Sequence, residues 1–304
     1  MTQDRLLQMV ISVMITGGYL VSERFSMRPR SFDLIASNGE MTLAIKVVSH
    51  IDSVSEETAS DLELVARHLK GSAIIIGERA RDAELERGAV YLRYGIYAIS
   101  VSTLYDYVVE AIPPLIYASP GGLYVAINGD ALREQRERRS MSLGDLGHLL
   151  GVSRRTISKY ESGMGTTLEV AQKIEELFDS GLVQSIDLLR PHAESKERVE
   201  QPEEEVPMGF LEQIGMTLHT LHRAPFQALI TFHDHTILTG YGTADRVVKR
   251  AALIGNISQV TGTRAMCVLT DYYKQKKIGK TLVIGEERLH HIADGDELID
   301  MIDK

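Results

Sequence analysis

The chain has 304 residues, 44% of them hydrophobic, and a formal charge of −9. That length points to two or three domains, and no apolar run approaches the roughly 18 residues that a membrane span needs. The acidic balance argues against nucleic acid binding over the whole surface, yet residues 131–163 hold seven Arg or Lys against four acids. One basic module in an acidic protein confines phosphate contact to that module.

The start, MTQDRLLQMV, carries Asp4 and mixes polar with apolar residues, unlike a secretory leader. A single cysteine, Cys267, excludes an intramolecular disulfide framework and fits a reducing, cytoplasmic setting. Its place in AMCVL reads as a buried, inert thiol.

Along the chain, Leu6, Leu7, Val10, Ile11 and Met14 share one helical face that stops at Gly17-Gly18. Strand-like stretches follow at Tyr19–Phe25, Phe32–Ser37 and Met41–Val48, with a helix expected from Glu56 to Leu69. Ser72–Gly77 reads as a buried strand, and residues 80–88 as a solvated helix or loop. Tyr97–Ser100 is a further strand and Ser102–Ile112 a closing helix. Alternating strands and helices predict an α/β layer domain over 1–112.

Pro113-Pro114 ends that domain, and LIYAS-PGG-LYVAI predicts a hairpin connector over 113–129. A basic helical module is expected over 130–190 and a glutamate-rich linker over 191–207. A second α/β domain over 208–304 repeats the first in order and spacing. Phe32-Asp33-Leu34-Ile35 can be laid on Phe226-Gln227-Ala228-Leu229, and YAISVSTL on LVIGEERL.

The sharpest signal is SLGDLGHLLGVSRRTISKYESG, residues 142–163. Ser142 can cap a helix carrying Leu143, Leu146, Leu149 and Leu150. Gly151 allows the left-handed turn, and Ser153 caps a second helix whose Ile157 and Tyr160 face inward. Two short helices joined through a glycine turn make a helix-turn-helix, whose second helix enters the major groove. This segment resembles the lambda-repressor-like (Cro and phage-repressor) helix-turn-helix. The resemblance implies base contacts by Arg154, Arg155 and Lys159, with Ser142, Ser153, Thr156 and Ser158 at capping and backbone positions. It also implies a structural ion pair between Arg136 and Glu161. Over its whole length, notably FDLIAS, GVSRRTISKYE and RAPF, the chain resembles a family of archaeal helix-turn-helix regulators.

In the first domain, Asp33 on one strand and Lys46 on the next resemble the PD-(D/E)xK nuclease and resolvase arrangement. That chemistry needs two carboxylates around Mg²⁺ and a lysine beside the attacking water. Here the triplet is Ala44-Ile45-Lys46, so a carboxylate is missing unless Glu40 or Glu57 migrates into its role. In the repeat Gln227 and Gly240 replace Asp33 and Lys46. The scaffold is therefore expected to be nuclease-like without catalytic residues, serving dimerisation or sensing. His233 and His235 around Asp234, and His290-His291, read as solvated loops, with no cofactor or metal expected.

The expected protein is a non-enzymatic transcriptional regulator. Its partners would be double-stranded DNA, a second copy of itself and the transcription machinery, with no membrane. The alternatives are a structure-selective, Mg²⁺-dependent nuclease targeted by the helix-turn-helix, or an interaction module of basal transcription.

Overall fold

The computed structural model of the protein describes residues 2–24, 30–81, 83–189, 209–221, 223–271, 274 and 276–304. The glutamate-rich stretch 191–207 and Phe25 lie outside the described residues. Among the described residues no helix is long and apolar enough to cross a membrane.

The first layer opens with α1 (Gln3–Thr16), which buries Leu6, Leu7, Val10 and Met14 as their spacing predicts. Strands β1 (Leu20–Val21), β2 (Leu34–Ser37) and β3 (Thr42–His50) follow, then α2 (Glu56–His68), capped by Ser55 Oγ accepting from the Thr58 N–H. A Cβ on Gly71 would sit 2.1 Å from the Thr42 carbonyl oxygen, so only glycine allows the return into the sheet here. Strands β4 (Ser72–Ala80), β5 (Ala83–Glu84), β6 (Ala89–Arg93) and β7 (Ile96–Ile99) lead to α3 (Val101–Val108). The described residues of 80–88 form no helix: 81 and 85–88 are loop, as one of the two expected readings had it, and strands take Ala80 and Ala83–Glu84. β4 runs on to Ala80 and β5 folds back on it, with Arg79 opposite Glu84. The charged side chains there decorate an exposed strand pair, which a helical reading of GERARDAELER mistakes for a solvated helix.

The hairpin β8 (Ile116–Ser119) and β9 (Gly122–Ile127) forms as its Pro-Gly-Gly turn predicts, but it is no free tether. β8 pairs in parallel with β6, so the first sheet runs β1-β2-β3-β4-β7-β6-β8-β9-β10, with β5 beside β4. Four helices follow: α4 (Gly129–Arg138), α5 (Leu143–Leu150), α6 (Arg154–Glu161) and α7 (Leu168–Phe178). The chain then returns through β10 (Val183–Gln184), antiparallel to β9. Beyond it Leu188 is buried in the core beneath α1, and Ser72 Oγ donates to the Leu189 carbonyl at 2.8 Å. The helical module is therefore fastened to the first sheet at both its entry and its exit.

The last third contains α8 (Phe210–Gln213), β11 (Thr217–Thr220), β12 (Ala228–Phe232), β13 (His235–Gly242), α9 (Ala244–Thr261), β14 (Arg264–Leu269), β15 (Lys276–Ile278), β16 (Thr281–Gly285), α10 (Glu286–Leu289) and α11 (Gly295–Asp303). Its sheet order, β11-β12-β13-β14-β16-β15, matches β1-β2-β3-β4-β7-β6 strand for strand. The register matches too: Leu34 faces Ile45 and Ser37 faces Thr42, while Ala228 faces Thr239 and Thr231 faces Thr236. The side-chain bond from β2 to β3 recurs. Asp33 Oδ2 accepts from the Val47 N–H at 2.8 Å, and Gln227 Oε1 accepts from the Tyr241 N–H at 3.0 Å.

The two α/β units pack on each other. α9 lies against β2 and α2 against β12, and one hydrophobic core runs through both. Phe32 and Phe226, fully buried, meet with ring centroids 6.1 Å apart. The Ser31 N–H donates to the Arg223 carbonyl at 2.7 Å, and Thr236 Oγ1 donates to the His68 carbonyl at 3.1 Å. His68 stacks on His219 at 3.9 Å, and burial together with that neighbour pushes its imidazole down to about 4. The apolar faces of the two units are thus turned toward each other within one chain. Phe226→Ala is expected to cost about 3–5 kcal/mol, the range for emptying a buried phenylalanine site, read from urea unfolding. A loss below about 1 kcal/mol would show that the seam contributes little.

Candidate DNA interface

The interface is built from caps. Ser142 Oγ accepts from the Asp145 N–H at 3.1 Å while Asp145 Oδ2 accepts from the Ser142 N–H at 2.8 Å, a reciprocal capping box that starts α5. These bonds hold the Asp145 carboxyl below its usual range. Gly151 ends α5 with φ +70°, the left-handed region in which a side chain is strained. A Cβ on Gly147 would lie 2.7 Å from the Val152 carbonyl oxygen, so the turn closes tightly against α5. Ser153 then caps α6, its Oγ accepting from the Thr156 N–H at 3.1 Å and lying 2.8 Å from Thr156 Oγ1. Thr156 is thereby tied to the cap and half-buried, whereas Ser158 is exposed.

Ile157 and Tyr160 of α6 enter a core with Leu132, Leu146, Leu150, Ala171, Ile174 and Phe178. That fixes the opposite face outward, where Arg154, Arg155, Ser158 and Lys159 are exposed. None of the two arginines and the lysine has an ion-pair or hydrogen-bond partner among the described residues.

The arginines of α4 and its C-cap behave differently. Arg136 Nε pairs with Glu161 Oε1 at 2.5 Å and Nη2 with Oε2 at 3.1 Å, while Nη1 donates to the Met141 carbonyl at 2.9 Å. Arg133 adds a contact to Glu161 Oε2 at 3.3 Å. Arg138 pairs with Glu134, and Arg139 bonds the Leu177 carbonyl and lies over the Phe178 ring. The Glu161 side chain is only 4% exposed, so two guanidiniums neutralise a buried carboxylate at the end of α6. That carboxylate raises the Arg136 pKa further. The ion pair implied by the sequence is therefore present. Arg133 is an addition that its spacing from Arg136 on one helix face could have signalled.

The nuclease-like positions lie elsewhere, on the face of the first sheet that meets the second α/β unit. Asp33, 1% exposed, pairs through Oδ1 with the Arg30 guanidinium, the groups not aligned for a hydrogen bond. Its Oδ2 lies 3.5 Å from Lys46 Nζ, which also donates to the Arg30 carbonyl at 2.6 Å. Burial lowers the Lys46 pKa, against the opposing pull of Asp33. Ala44 is wholly buried. Glu57 pairs with Arg223 instead of moving toward Asp33, and Asp61 accepts from Ser31 Oγ at 2.6 Å and the Arg223 N–H at 3.0 Å. The cluster is closed by protein cations.

His233 sits at φ +49° in the β12–β13 turn, and His235 Nδ1 lies 2.9 Å from Arg264. Among the described residues no group of three or more His, Cys, Asp or Glu is arranged to hold a metal. Cys267 is buried, and burial pushes its thiol up to about 12.

Arg136→Ala should destabilise the helical module by about 3 kcal/mol, because it strands a buried carboxylate with only Arg133 near. Calorimetry checks this, and a melting temperature equal to wild type would contradict it.

Residues 3–114 match the PD-(D/E)XK superfamily domain and residues 132–184 match the helix-turn-helix family. No solved structure matches the chain. A protein of Methanoregula boonei named "Putative HTH-type transcriptional regulatory protein" is 68% identical over 99% of this chain and 96% of its own length. Proteins of the same name from Methanospirillum hungatei and Methanosarcina mazei are 60% and 40% identical, covering 99% and 100% of this chain and 99% and 98% of their own lengths. Matched end to end by such relatives, the chain belongs to this archaeal family of HTH-type transcriptional regulatory proteins.

Proposed function

We infer that the protein is a sequence-specific, DNA-binding transcriptional regulator whose α6 enters the major groove. The observation that carries this reading is the division of labour among the cations. The arginines of α4 and its C-cap are engaged within the fold, while Arg154, Arg155 and Lys159 stand exposed without side-chain partners among the described residues. Cations held outward on a rigid helix suit guanine O6 and N7, each good bidentate contact discriminating by about 1–3 kcal/mol. Ser142, Ser153, Thr156 and Ser158 fall where phosphate contacts set register rather than sequence.

One such helix reads few base pairs. A homodimer on a palindrome, its recognition helices about 34–36 Å apart, would extend the site. The Phe32 and Phe226 faces are engaged within one chain, so pairing would use another surface. The matched strand order and register support an origin of the two α/β units by duplication, with the units serving as scaffold over 1–112 and 208–304. Contact with the transcription machinery would use the same scaffold.

The nuclease alternative is disfavoured by Ala44, which removes a metal carboxylate, and by Arg30 and Lys46, which occupy the anion's neighbourhood. The test is selection from a random duplex pool at stated salt, with wild type and Arg154→Ala/Arg155→Ala. Wild type is expected to enrich a motif that the double mutant loses, and to leave branched DNA uncut in Mg²⁺. Failure of wild type to enrich any sequence, or Mg²⁺-dependent cleavage abolished by Lys46→Ala, would overturn the reading.

A further inference from the structure

We propose that the β8–β9 hairpin is a second DNA-contacting element, a wing that follows the phosphate backbone on the side of the groove where α6 ends. The inference rests on α6 being the groove-entering helix. β9 is joined directly to the segment that follows α6: the Val125 N–H donates to the Thr166 carbonyl at 2.8 Å and the Thr166 N–H to the Val125 carbonyl at 2.9 Å. The bridge is antiparallel, so the hairpin tip and the start of α7 lie toward the same end. With a rise of about 3.3 Å per residue, the tip extends roughly 10 Å beyond Val125.

The surface between this segment and the tip offers neutral hydrogen-bond donors and bare backbone. Tyr117 and Tyr124 face each other across the hairpin, their rings 6.1 Å apart. The Tyr117 hydroxyl lies against Gly165, where an added Cβ would come within 1.8 Å of it, and the Tyr124 hydroxyl lies beside Gly121. Both residues are half-buried, and neither hydroxyl has a hydrogen-bond partner among the described residues. Neither oxygen is among the buried atoms left without a partner, so both hydroxyls are open to solvent and free to meet an external acceptor.

Gly121, Gly122 and Gly163 are exposed and offer no side chain to hold a backbone away. Residues 115–128 and 162–168 contain no acidic side chain, in a chain whose net charge is −9. The next acid after residue 168, Glu169 in the first turn of α7, is paired with Lys173 at 2.7 Å, which limits like-charge repulsion toward phosphate. The groove would be flanked by the capped start of α5 on one strand and the wing on the other.

The test is equilibrium binding of the full chain to its selected duplex across a salt series. The variants are Tyr117→Phe, Tyr124→Phe, Pro120→Glu and Pro120→Lys. Each tyrosine variant keeps its ring and is expected to weaken binding about 3- to 10-fold, the range of one lost hydrogen bond, with sequence preference unchanged. Pro120→Glu should weaken binding about 10-fold, and Pro120→Lys should strengthen it while steepening the slope of log K against log salt by about 0.9. A gain by Pro120→Lys cannot come from misfolding, so it upholds the wing even if another variant melts early. All four variants within twofold of wild type, while Arg154→Ala abolishes site preference, would overturn the wing alone. If wild type itself shows no site preference, the groove reading fails and the wing fails with it.

Discussion

The structure depends on one buried carboxylate. Glu161 ends the recognition helix inside the protein, where an unpaired charge would be untenable, and Arg136 and Arg133 of α4 neutralise it. The pair fixes α6 against α4 at a separation so small that Gly129 has no room for a Cβ, which would lie 2.5 Å from the Glu161 carbonyl oxygen. With Ile157 and Tyr160 inserted in the same core, the helix has a single orientation. Its cations then have nowhere to point but outward. A basic surface that looks modest in the charge count becomes sharply defined, since the remaining arginines are turned to structural use.

The two α/β units share one local device, a side-chain bond that ties the first strand of a hairpin to the second. In the first, an aspartate and a lysine keep the positions of a nuclease-like centre, but Arg30 stands beside the aspartate and the second unit closes over the face. In the second, Gln227 preserves the aspartate's bond to the neighbouring strand and drops its charge. What persists in both is the hydrogen bond that holds β2 to β3 and β12 to β13.

Much of this was legible in the residues. Caps at Ser142 and Ser153, the left-handed Gly151 and the inward Ile157 and Tyr160 are local signals, and each sits where its spacing places it. The repeat was legible because register is set by alternation along strands. Less legible were the features set by distant parts of the chain. The pairing of β6 with β8 joins the helical module to the first sheet through a parallel contact that no turn motif announces. Within the charged run 80–88, nothing in the composition announced that Ala83–Glu84 would pair with the end of β4. The seam at Phe32 and Phe226 brings together residues far apart in sequence, and hydrophobicity alone does not say which partner a face will find.

The central claim is that sequence is read from the major groove by the outer face of α6. Dimethyl sulfate protection of guanine N7 on a bound duplex tests it most directly, because N7 lies in that groove. Wild type is expected to protect guanines within one groove segment or in two segments a helical turn apart, with protection lost in Arg154→Ala/Arg155→Ala. Binding that leaves every guanine N7 reactive, or protection that survives the double substitution, would contradict it.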